Sequence, residues 1–190
     1  PYGVRVDVET GLEVRLASTV YVVSSDGRFV LSPSLKKISL AQAGYGVCIP
    51  SSNVPRNSGA PTDDGVFQTD CQSGEATLLL SISRIYEALR PRFAAINLSE
   101  GACYGFHVKW NPQNDRIMFI LRWLPSDSRT GKTKNYLITF KSDGSDIHMA
   151  VDSKRWGGGH HPNWCPDGER IVMNLVFVDE TALAPKLTRF

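Results

Sequence analysis

The sequence lacks most of the motifs that would announce a function. Its four cysteines, Cys48, Cys71, Cys103 and Cys165, form no Cys-x-x-Cys pair, which excludes the usual zinc-site and thioredoxin-like spacings. They read as free, buried thiols, since a chain of 190 residues buries enough core to stand without disulfide staples. A formal charge of +2 gives no bulk attraction to nucleic acid or to an anionic membrane surface. No apolar run approaches the roughly 18 residues that span a bilayer. No Gly-x-Ser-x-Gly elbow occurs, so a hydrolase triad is unsupported. Gly131-Lys132-Thr133 lacks the first glycine of a phosphate loop, because that position is Ser126; it reads as a hairpin turn. There is no initiator Met and no leader pattern. The chain opens at Pro1-Tyr2-Gly3-Val4, already strand-like, and reads as a fragment whose compartment is open.

What the sequence does have is an internal repeat, the feature that decides a fold first. Val20 to Leu31, His107 to Phe119 and His161 to Met173 each read as a strand, a tight polar turn and a second apolar strand. Asp26-Gly27 and Asp167-Gly168 supply the turn in two copies, where glycine accepts positive φ at little cost. The middle copy has Asn114-Asp115 there and reads as one or two residues looser. A second unit alternates with the first: Val4 to Val14, Val66 to Leu78 and Leu137 to Ile147, again two strands about a glycine turn. Val4, Val6 and Val8 alternate with the period of a half-buried strand.

Two such hairpins make the four strands of one blade of a β-propeller. The expected fold is therefore all-β, with four-stranded antiparallel blades, about three blades' worth of chain and one short inserted helix. The expected divisions are half a blade over 1–18, a blade over 19–81 with a long loop over 33–64, a helical insert over 82–92, a blade over 105–152 and half a blade over 160–180. Trp110 and Trp164 lie 54 residues apart (164 − 110), near the ~40–50 of blade repeats. Val23 and Trp110 lie 87 apart (110 − 23), so the first blade carries the insertions. The loop is rich in Ser, Pro, Gly and Asn and predicts little regular structure. Ile82, Ile85, Tyr86 and Leu89 predict a helix that stops at Pro91. Three blades do not close a ring, since propellers typically need roughly four to eight. Either more chain supplies the remainder, or a homodimer closes a six-bladed ring.

His107 and His161 stand three residues before Trp110 and Trp164, at equivalent positions in consecutive inner strands. On a propeller both face the central channel, with His160 beside them. Imidazoles placed so can bind a metal or serve as acid and base, or can hydrogen-bond a neighbouring blade and hold the ring. Val20 fills the position in the first copy, so the histidines are not part of the repeat itself. Gly157-Gly158-Gly159 either lets the backbone approach a ligand or connects blades. Arg122 and Trp123 follow on the next strand, a guanidinium fork for a carboxylate and a flat face for a sugar; the alternative is a packed Trp beside a surface Arg. Tyr45, Arg56 and Asp63-Asp64 lie in the long loop, where binding specificity often resides.

Gly44-Tyr45-Gly46, Gly65 to Asp70, His107 to Pro112 with Leu121-Arg122-Trp123, Ser142 to Asp146 and His161 to Trp164 together resemble TolB-like (WD40-like) propellers of the oligogalacturonate-lyase-like bacterial group. The resemblance runs over nearly the whole chain. It implies a carbohydrate-related propeller, metal-assisted β-elimination on uronate sugars, and a divalent cation, usually manganese, held by His and Gln side chains at the channel. On this chain it casts His107 and His161 as metal ligands or base, Arg122 as carboxylate clamp, and Trp123, Tyr45 and His160 as sugar contacts. Lys109 departs from a full ligand set, because an ammonium beside a cation is repulsive. The same resemblance implies a periplasmic or secreted setting. The alternative is a non-catalytic TolB-like propeller that binds a protein or small ligand at its channel.

Overall fold

Hydrophobic alternation and glycine turns cut this chain into short antiparallel strands, and the computed structural model, which describes residues 1–127, 129 and 131–178, shows them arranged in sequence order. Strand accounts for 39% and helix for 10%, so the protein is all-β. The hairpin β1 (Gly3–Val6) and β2 (Glu13–Leu16) comes first. A four-stranded meander follows, made of β3 (Val22–Val23), β4 (Phe29–Ser32), β5 (Gly65–Asp70) and β6 (Ala76–Ser81). A second meander contains β7 (Gly101–Trp110), β8 (Arg116–Pro125), β9 (Lys134–Lys141) and β10 (His148–Val151). Last come β11 (Trp156–Gly158), β12 (Asn163–Trp164), β13 (Ile171–Val172) and β14 (Val176–Phe177), with β11 paired to β14 and β12 to β13. Residues 179 and 180, at the end of the last expected unit, lie outside the described residues.

The three turns of the first hairpin type have one geometry. Ser24, Asn111 and Cys165 each donate their N–H to a carbonyl five residues on, at Phe29, Arg116 and Arg170 (2.8 Å in each case), and accept from the residue three on. That last residue is left-handed in all three: Gly27 (φ 70°), Asn114 (φ 58°) and Gly168 (φ 73°). The middle turn is thus no longer than the others, contrary to the sequence reading. Asn occupies the left-handed position because its short amide tolerates positive φ.

The last four strands repeat β7–β8 at the same 54-residue offset. Tyr104 pairs Arg122 and Gly158 pairs Val176; Trp110 pairs Ile117 and Trp164 pairs Ile171. The long strands of the second sheet are here broken in two.

β9 is apolar on both sides. Tyr136, Ile138 and Phe140 face the first sheet, where they pack with Leu31, Val66 and Leu80. Leu137 faces the other way, into a second core with Phe106, Ile120, Trp156 and Trp164. Each fully buried side chain of this size contributes about 1.5–3 kcal/mol through removal from water.

Helix α1 (Ile38–Ala41) and a short 3₁₀ turn lie within the segment read as irregular loop. Leu35, Ile38 and Ala41 turn inward at helical spacing against the second core. The same segment is pinned at Asn57, whose amide accepts from Lys37 Nζ (2.6 Å) and donates to buried Asp64 (2.8 Å) and to the Cys103 carbonyl (2.7 Å). Helix α2 (Ile82–Ala88) is capped by Ser81, whose Oγ accepts the Arg84 N–H, and buries Ile82 and Ile85. Of the four free thiols, Cys48 is exposed, not buried as the sequence reading had it. Cys103 is enclosed, and burial pushes its pKa up to about 12.

Candidate functional site

Strand β7 bulges between Gly105 and Val108, which turns Phe106 and His107 out of simple alternation. Phe106 lies beneath the Arg122 guanidinium, whose Cζ sits 3.7 Å from the ring centroid, a cation–π geometry. Arg122 comes from β8 and is only 3% exposed. Its Nη1 donates to the Ala41 carbonyl (2.8 Å) and to Gln42 Oε1 (2.9 Å), and its Nη2 to His160 Nε2 (2.8 Å). Its Nε has no partner. Helix α1 therefore ends on the guanidinium.

The third repeat brings the remaining imidazoles. Gly159 (φ 86°) and His161 (φ 62°) are both left-handed, and between them the chain departs from the path of β7. His160 consequently stands where the repeat has Phe106, its ring 5.8 Å from Phe106 and 5.8 Å from Trp156. His161 is the repeat equivalent of His107, yet it is exposed, at the rim of the same cavity and 6.4 Å from His160 between ring centroids. A left-handed histidine stores strain on the order of 1–3 kcal/mol. The triple glycine lies inside the β11–β14 hairpin, where a side chain at Gly159 would collide with the Asn174 carbonyl. Gly159 is therefore needed for backbone packing, whereas a side chain at Gly158 would make only ordinary contact with Val176.

A cavity of ≈ 90 Å³ is lined by Gln42, Tyr45, Phe106, His107, Arg122, His160 and His161. Five of the six residues singled out in the sequence therefore converge: Tyr45, His107, Arg122, His160 and His161. Trp123 does not. Successive strand residues point to opposite faces, and Trp123 is buried in the core between the sheets, where it packs against Gly101. It cannot stack on a ligand held by Arg122. Phe106, Gln42 and Tyr21 were missed. Tyr21, 5.5 Å from His107, and Phe106 had no pattern to mark them, whereas the Leu35–Ile38–Ala41 spacing was a signal for the helix that places Gln42.

Desolvation dominates the electrostatics. His107 is held down to about 4, first by burial and then by electrostatic repulsion of its protonated form by His160, Arg122, Lys109 and His161. His160 is lowered by burial and by Arg122. Burial also brings Arg122 down to about 10, and it stays charged at neutral pH. Both His107 and His160 are thus neutral there, and His160 Nε2 must be the unprotonated nitrogen, since it accepts from Arg122. Its Nδ1 then carries a proton with no acceptor, and His107 Nε2 is likewise buried without a partner. Lys109 is turned aside, its ammonium on the Pro162 carbonyl (2.9 Å).

None of the described residues lining the cavity is acidic, and no group of three or more His, Cys, Asp or Glu able to hold a metal occurs among the described residues. The Arg122 guanidinium lines the same cavity as His107 and His161, the two expected ligands, and repels a divalent cation. These residues do not fit manganese. A buried positive charge beside proton donors without acceptors fits an anion. No family model matches the chain, and neither does any curated protein or solved structure.

Proposed function

We propose that the chain is part of a β-propeller of TolB-like, oligogalacturonate-lyase-like kind, and that the Arg122 site binds the carboxylate of a uronate-containing sugar. Two successive four-stranded meanders, with the β7–β8 register repeated 54 residues on in β11 to β14, support the propeller reading. The observation that carries the ligand reading is the buried guanidinium with an unpartnered Nε, flanked by orphaned imidazole nitrogens and no carboxylate. Gln42 is exposed, and its amide oxygen occupies one lobe of the guanidinium. On this reading it swings out and a ligand carboxylate oxygen takes its place. His160 Nδ1–H and His107 supply further polar contacts, and Tyr45, 47% exposed, covers the site.

Binding is favoured over elimination by one feature. An acid or base works best with a pKa near the working pH, and His107 lies near 4. A non-catalytic propeller with an anion-binding pocket is therefore the better supported of the two roles. Calorimetric titration with a galacturonate trimer tests it. The expected result is saturable binding that is lost in Arg122→Gln and absent for the neutral galactose trimer. Equal heats for both sugars would overturn it. Appearance of ultraviolet-absorbing unsaturated products would restore elimination.

A further inference from the structure

The repeat register exposes a surface that neither the ligand site nor the hairpins account for. The second hairpin type starts its turn at Asp7, Asp70 and Lys141. In the two complete sheets the turn seats on the preceding hairpin in the same way: the Cys71 N–H donates to the Arg28 carbonyl and the Ser142 N–H to the Asp115 carbonyl, both 2.9 Å. Counting back from these turns, Val4 and Val6 of β1, with Tyr2 just before it, occupy the places of Tyr136, Ile138 and Phe140 of β9. The β9 residues are all 0% exposed, while Tyr2, Val4 and Val6 are 54%, 43% and 50% exposed. β1 therefore carries the inward face of a third strand with nothing described on its outer edge.

A complementary edge lies at the other end of the described residues. β13–β14 repeats β8, but among the described residues it has no third strand. Beside it opens a cavity of ≈ 620 Å³ lined by Leu137, Val151, Ile171, Met173 and Leu175, with Arg116 and Glu169 at its rim. Leu137 corresponds to Val66, and Ile171 to Ile117. In the complete pair of sheets this space is filled by Tyr136, Ile138 and Phe140. The charges agree as well: Arg116 pairs Lys141 in the β8–β9 ladder, and the same register sets Arg170 opposite Asp7.

We propose that β1 of one copy of this chain adds, antiparallel, to the β13–β14 edge of a second copy and completes its sheet. The β8–β9 ladder pairs Ile117 with Phe140, Phe119 with Ile138 and Leu121 with Tyr136. It translates into Ile171 opposite Val6, Met173 opposite Val4 and Leu175 opposite Tyr2, with the Val8 N–H reaching the Glu169 carbonyl. The exchange is reciprocal, so two copies make six four-stranded sheets. β-Strand addition of this kind draws affinity from main-chain hydrogen bonds and register from alternate side chains. The strand pairing stands on the repeat register and not on the ligand reading.

Light scattering of the 190-residue chain over a concentration series tests it, with Val4→Lys as the variant; Val4 is exposed in the monomer, so the fold tolerates the change. The expected masses are twice the 21.0 kDa of the monomer for the wild type and 21.0 kDa for Val4→Lys. A mixture of Val4→Cys and Met173→Cys proteins, each also carrying Cys48→Ser to remove the exposed native thiol, oxidised by air with copper–phenanthroline, should give a cross-linked dimer that neither gives alone. A wild type monomeric at every concentration, or a dimer unaffected by Val4→Lys, would overturn the proposal. So would a monomer that dimerises only after removal of residues 179–190, because those residues would then be the occupant of the groove.

Discussion

The hairpin β7–β8 and its repeat, β11 to β14, share a register and differ in continuity. In the first, two strands of ten residues run unbroken except for one bulge. In the second, left-handed Gly159 and His161 interrupt the path of β7, and the path of β8 is interrupted between Val172 and Val176, which leaves four short strands. The continuous copy supplies the core and the guanidinium. The broken copy supplies the imidazole that meets it. A regular third repeat would set an imidazole from position 161 beside the one at 107; the break instead swings His160 onto Arg122. Irregularity in a repeat is where the candidate site is built, as expected when strain collects at functional positions.

The comparison can be broken most severely at its rigid end. Phe119→Ala empties a fully buried place between the sheets and should cost about 3–5 kcal/mol. Met173→Ala, the equivalent change in the broken copy, should cost less than about 1.5 kcal/mol in dilute protein, because the side chain is only half buried and its neighbours can collapse. Urea denaturation of both variants measures the gap, and equal losses would mean that the two hairpins are equally packed.

Acid should act on the site next. His107 titrates near 4 when folded, against 6.5 ordinarily, and His160 shifts the same way. Between those values the unfolded chain binds more protons than the folded one. Stability is therefore whole above pH 6.5 and falls as pH drops from 6.5 towards 4. His107→Phe, which removes the titrating group, should flatten that slope in thermal melts recorded across the window.

Relief of the left-handed histidine is smaller. His161→Gly should raise stability by about 1 kcal/mol or less, because glycine removes the steric strain while loosening the unfolded chain. Asn114→Gly should change stability by no more than about 0.5 kcal/mol. The turn geometry survives it, and only two exposed bonds are lost, from the Ser25 N–H to Asn114 Oδ1 and from Asn114 Nδ2 to Ser25 Oγ. A larger effect at Asn114 than at His161, read from chemical denaturation, would reverse the assignment of strain.

The sequence made the strands legible because their period and their turns agree. Asp-Gly at two turns and Trp110 and Trp164 at one offset located the repeated hairpins, and Ile82, Ile85 and Pro91 located helix α2. It also named five of the residues that meet in the cavity. It misplaced Trp123, although the two-residue period of a strand already forbids Arg122 and Trp123 from sharing a face. It treated residues 33–64 as irregular because polar loop composition masked the Leu35–Ile38–Ala41 stripe. The role of His160 was not readable, since it depends on two backbone dihedrals that no local pattern dictates in a histidine.

The most direct test is the imidazole of His107, followed by NMR with and without a galacturonate oligomer. The account predicts a neutral ring down to about pH 4 in the free protein and an upward shift when a carboxylate docks beside it, with proton uptake on binding. A midpoint at the ordinary 6.5 that the uronate leaves unchanged would contradict it.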